Sequence, residues 1–220
     1  MLPSSLLAFV AALPTVVMAA ALPELPHDVS EGGIKWTGKI FKDDKKPTVL
    51  YGEIEDILDQ ILALNPNYVA SEVNPDPETA QSALQRRVET LTCATMATGG
   101  QYDITAGADH LVSVGAQCET PAKQCRRMTC KNTTGSYLCS EGNNISLSCN
   151  SLARIVRRVN TDCCNGKDKY GSNSSGKSGH IYNDRIWSVW VGYGNCGHSS
   201  SSRPTDYPYP GGSPNGVCQN

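Results

Sequence analysis

The sequence predicts an α+β fold: a split βαβ sandwich in which an antiparallel four-stranded sheet carries two helices on one face, inside a dense disulfide frame. Three observations predict it. From Val88 onward the apolar pattern reads strand, helix, strand, strand, helix, strand. All 10 cysteines of the 220-residue chain fall in that stretch. With 2 Phe and only 18% charged residues, the core vocabulary is thin, which suits a small domain stabilised by cross-links.

Residues 1–21 read as a signal peptide. The apolar run Leu6 to Val17 is broken by Pro14 and Thr15 and followed by Ala19, Ala20 and Ala21, with small-x-small cleavage patterns. It is shorter than the roughly 18 residues a membrane span needs.

Residues 22–87 read as a pro-segment with one amphipathic helix. Ile54, Ile57, Leu58, Ile61 and Leu62 recur at helical spacing, and Asn65-Pro66 stops them. Val73-Asn74-Pro75-Asp76-Pro77-Glu78 has the composition of a linker. This segment has no cysteine and holds 7 basic against 12 acidic residues; residues 88–220 hold 12 against 9. Cysteine content and the sign of charge thus switch together at Arg86-Arg87, a dibasic pair suited to a processing protease, which leaves Val88 as the new terminus.

In residues 88–196, the predicted disulfide-rich domain, Val88 to Cys93 alternates as a strand and Gly99-Gly100 breaks it. Ala108, Leu111 and Val112 mark a helix with Asp103 or Thr105 as N-cap and Gly115 as its end. Arg126 to Lys131 and Ser136 to Cys139 form a hairpin about Asn132-Thr133-Thr134-Gly135. Leu152, Ile155, Val156, Val159 and Cys163 share one face of a second helix capped at Asn150 or Ser151. A Gly/Ser/Lys loop runs over 165–179. Ile186 to Tyr193 is the last strand, the richest in aromatic and β-branched residues. Residues 197–220 are a Pro/Gly/Ser-rich tail, tied back by Cys218.

The even cysteine count in a secretory chain predicts five disulfides among Cys93, Cys118, Cys125, Cys130, Cys139, Cys149, Cys163, Cys164, Cys196 and Cys218, with connectivity left open. The adjacent Cys163 and Cys164 take different partners. No C-x-x-C knuckle is present, so neither a metal nor a cofactor is expected. Asn132, Asn144 and Asn173 head three N-glycosylation sequons.

Cys125-Arg126-Arg127-Met128-Thr129-Cys130, then Tyr137-Leu138-Cys139, the helix opening at Cys149, Cys163, and the Trp-rich strand leading to Cys196 form a frame. Gly52-Glu53-Ile54 opens the pro-segment helix, which leads into Asn65-Pro66-Asn67-Tyr68. In these features the chain resembles a broad group of fungal small secreted cysteine-rich proteins, many proposed as effectors in virulence. Its layout is similar, more distantly, to virally encoded fungal killer toxins, which are disulfide-bonded α/β sandwiches. The resemblance implies an extracellular binder and carries over no active-site residue.

Two chemistries compete. Arg154, Arg157 and Arg158 cluster on the polar side of the second helix, a basic patch for an anionic surface. Trp187 and Trp190, three apart in a strand, point to opposite faces, one to the core and one available as a binding aromatic or covered by the tail. Of His110, His180 and His198 in the mature part, His180 lies near Asp184 and Arg185, the general base, general acid and phosphate clamp of a small secreted ribonuclease. The expected function is binding of an unknown extracellular or host target by a secreted monomer, without catalysis, nucleic acid or a transmembrane segment; the alternative is a small secreted hydrolase of the ribonuclease kind.

Overall fold

The computed structural model describes residues 33–76, 89–93, 98–163, 177–183, 186–194 and 196. The elements are β1 (Ile34–Gly38), β2 (Thr48–Gly52), α1 (Ile54–Leu64), a single turn α2 (Ala70–Val73), β3 (Glu89–Cys93), α3 (Gln101–Val114), β4 (Gln117–Thr120), β5 (Cys125–Lys131), β6 (Thr134–Ser140), β7 (Ile145–Ser148), α4 (Cys149–Asp162), β8 (Gly179–Asn183) and β9 (Trp187–Tyr193). The α+β class and antiparallel pairing hold. The single four-stranded sheet does not: among the described residues there are two sheets, ordered β2-β1-β4-β7 and β3-β8-β9-β6-β5.

All four predicted strands lie in the five-stranded sheet. The fifth, β8, enters between β3 and β9 and pairs with both. It is only five residues long and opens with Gly179, where the loop expected over 165–179 ends; no strand is expected there from the sequence pattern. The second sheet arises because Ile34-Lys35-Trp36-Thr37-Gly38 alternates buried and half-buried. Its inward residues Ile34 and Trp36 are fully buried. β1 pairs with β2 on one side and with β4 on the other, Trp36 standing opposite Cys118. The segment read as a pro-segment therefore supplies β1 and α1 to the core of the cysteine-rich part, with Leu50 of β2 and Ala70 and Val73 of α2 partly buried against it.

One hydrophobic core joins Ile34, Trp36, Ile54, Ile57 and Ile61 to Leu111, Leu138, Leu152, Val156, Ile181, Trp187 and Val189. The helical faces match the apolar periodicity: Ile54, Ile57 and Ile61 of α1 and Leu152, Ile155, Val156 and Val159 of α4 are buried. The caps differ from expectation. Helix α3 starts after Gly100, whose N–H donates to Thr134 Oγ1 at 2.8 Å, and α4 starts after Ser148. In its first turn α3 buries Ile104 and leaves Tyr102 80% exposed. Gly115 ends α3 at φ 56°, and a Cβ there would stand 2.9 Å from Ala70 Cβ, so both conformation and space require glycine.

Among the described residues four disulfides are formed: Cys93–Cys163, Cys118–Cys149, Cys125–Cys139 and Cys130–Cys196. Cys163 thus pairs with Cys93; Cys164 and Cys218 lie outside the described residues, as do Arg86, Arg87, Asn173, the signal peptide and the tail. Asn132 is exposed at the β5–β6 turn with φ 54°. Asn144 is exposed just before β7, its side-chain oxygen accepting from Ala122 N at 2.9 Å.

Candidate functional site

Titratable groups gather where α1 meets β5 and α3. Glu53 is the N-cap residue of α1, and Glu55 and Asp56 occupy its first turn, a position where the helix dipole favours carboxylates. Arg127 on β5 donates through Nε to Glu53 Oε1 at 2.8 Å, and its Nη2 donates to the same oxygen. The Arg127 side chain is only 3% exposed and that of Glu53 17%, so this is a buried pair. Breaking such a pair leaves an uncompensated charge in low dielectric, at a cost of about 3–5 kcal/mol. Beside it, His110 Nδ1 on α3 lies 3.3 Å from Glu55 Oε1.

Burial raises the Glu53 carboxyl pKa, with Arg127 opposing, and raises that of Glu55, with His110 among the opposing groups. Tyr137, stacked in register beside Arg127, is fully buried and its hydroxyl is pushed up to about 12 by burial. Lys35 Nζ on β1 donates to Glu119 Oε2 on β4 at 2.7 Å, a more open pair. Each of these contacts joins the cysteine-free segment to the cysteine-rich body. Local sequence gave no hint of the Glu53–Arg127 pair, whose members are 74 residues apart.

The arginines of α4 present differently. Arg154, Arg157 and Arg158 are all exposed. Their i, i+3, i+4 spacing places them on one face, as the periodicity predicts. Each has a partner. Arg157 Nη2 donates to Asp109 Oδ1 at 2.6 Å. Arg158 donates to Glu89 Oε2 at 3.1 Å and to Asp162 Oδ2 at 3.4 Å. Arg154 Nη2 donates to Ser151 Oγ at 3.1 Å. The helix that carries them is pinned at both ends: Cys149, its first residue, is bonded to β4, and Cys163, its C-cap, to β3.

The tryptophans do point to opposite faces, but both are 5% exposed, so neither is an open binding aromatic. Trp187 joins the main core, and Trp190 a second cluster with Cys125, Tyr137 and Cys139 on the other face of the sheet. Trp190 is bracketed by neighbours: Tyr137 on β6 and His180 on β8 stand directly opposite it, with the His180 ring stacked at 4.3 Å. His180 Nδ1 is buried without a hydrogen-bond partner, and burial lowers the ring's pKa. The other members of the predicted catalytic set, Asp184 and Arg185, lie outside the described residues.

Among the described residues no cluster of three or more His, Cys, Asp or Glu could hold a metal ion, and no helix is long and apolar enough to cross a membrane. No family model matches the chain, and no curated protein matches it.

Proposed function

We propose that this is a secreted effector-like or toxin-like protein that acts by binding an extracellular host or competitor target rather than by turnover. The observation that supports this most is the mounting of α4, a helix cross-linked at both ends that presents Arg154, Arg157 and Arg158 from one exposed face. A rigid array loses little conformational entropy when it engages a partner. Exposed ion pairs contribute only about 0–1 kcal/mol, so a partner's carboxylates or phosphates displace Asp109, Glu89 and Asp162 at small cost. The four disulfides accord with an oxidising, extracellular setting.

The test applies the purified protein to plant, fungal and bacterial cells, with an RNA-cleavage assay alongside. Arg157→Ala with Arg158→Ala weakens the biological effect, most visibly at low salt, since exposed charges are screened beyond about 8 Å at physiological ionic strength. His180→Ala leaves it intact. Abolition by His180→Ala with an unchanged circular dichroism spectrum would overturn the binding reading in favour of the ribonuclease one.

A further inference from the structure

Residues 22–87 contain no cysteine. No disulfide can therefore tie this acidic segment to the basic body, although the two share a sheet and a core. What holds them is non-covalent and specific. Strand β1 lies between β2 and β4. Trp36 is fully buried and its indole N–H donates to Gly115 O at 2.9 Å. Tyr68 OH donates to Val114 O at 2.6 Å. Glu53–Arg127, Glu55–His110 and Lys35–Glu119 bridge the seam.

We propose that residues 33–76 form a separable subunit: once the chain is cut between residues 77 and 88, they stay seated on the body, and the processed protein is a two-chain complex rather than a lone cysteine-rich domain. Without the segment, the body would keep only β4 and β7 of that sheet, and a two-stranded sheet is marginal in water. It would also expose the backbone edge of β4, an open template for pairing with another strand, and leave Arg127 buried without Glu53. The segment is thus the natural occupant of that edge. Charge helps as well: by composition the segment is net acidic, 7 basic against 12 acidic residues, and the remainder net basic, 12 against 9, a complementarity that favours association.

The test needs no activity assay and so stands or fails apart from the binding function. The full chain is cut between residues 77 and 88, by a dibasic-specific protease or at a cleavage site engineered there, and run without reductant on a sizing column. The two pieces co-elute in native buffer and separate in urea. Separation in native buffer overturns the proposal; so does co-elution in urea, which would reveal a covalent link. In the cut protein, Glu53→Gln speeds release about a hundredfold, as expected for a buried pair, whereas Glu119→Gln at the half-open pair changes it less than about fivefold. Equal release by the two variants removes the specific seam. If Glu53→Gln does not fold, Trp36→Phe, which keeps an aromatic ring but is smaller and lacks the N–H bond to Gly115, serves in its place, with faster release expected and unchanged release counting against the proposal.

Discussion

The two halves of this molecule solve the same problem by different means. The body, from β3 to Cys196, closes long loops with disulfides: Cys93–Cys163 spans 70 residues and Cys130–Cys196 spans 66. In the chain-entropy account, a closure of that length contributes about 4 kcal/mol. The segment from β1 to α2 has no cross-link and stays in place through complete burial of Ile34, Trp36, Ile54, Ile57 and Ile61 and through its ion pairs. Cross-linking restricts the unfolded chain, whereas burial acts only while the two surfaces touch. The body is built to endure, and the segment is held on terms that can be reversed.

The largest expected effect is on the segment side. Trp36→Ala removes a fully buried indole and leaves the Gly115 carbonyl without its donor. A loss of about 5 kcal/mol, the upper end for such truncations, is expected from urea unfolding followed by tryptophan fluorescence. A loss below about 1 kcal/mol would show that the segment is a passenger on the body.

Next in size is the body's own staple. Replacing Cys93 and Cys163 together by alanine is expected to cost about 4 kcal/mol in the same unfolding experiment. It also frees the end of α4, so amide hydrogen exchange rises first in the last turn of that helix. Exchange rising instead across β1 and β2 would mean that the body and segment are not mechanically distinct.

The smallest effect concerns pH at the seam. Burial raises the Glu55 carboxyl pKa, and its Oε2 is buried without a partner. A raised carboxyl pKa means the folded state binds this proton more tightly than the unfolded state. The associated stability is full below the ordinary carboxylate pKa and is lost as pH rises through the folded-state value. Glu55→Gln, which mimics the protonated form, should therefore gain on the wild type as pH rises above the ordinary carboxylate range, read as a growing difference in urea midpoint. A gain in the opposite direction would mean that the His110 contact outweighs burial.

Much of this was legible in the residues. Helices α1 and α4 follow from apolar positions at helical spacing, because a periodicity of 3.6 can bury only one face. The β5–β6 hairpin follows from the turn Asn132-Thr133-Thr134-Gly135 between two short strands, β9 follows from its β-branched and aromatic run, and Gly115 ends α3 where a non-glycine side chain would be strained and would strike Ala70. The three arginines of α4 were placed on one exposed face by spacing alone. Their partners were not, since Asp109 is 48 and Glu89 69 residues away. The second sheet was not legible either: β1 and β2 lie in a segment read as one helix and a linker, and nothing local says that Trp36 is buried against the cysteine-rich body. Local pattern determined the buried faces of α1 and α4 and the extended runs of β3, β5, β6 and β9. Tertiary structure alone decided what buries them, which charges meet across the seam, and that both tryptophans of β9 are covered, because each of those outcomes joins groups far apart in the chain whose meeting no short-range propensity encodes.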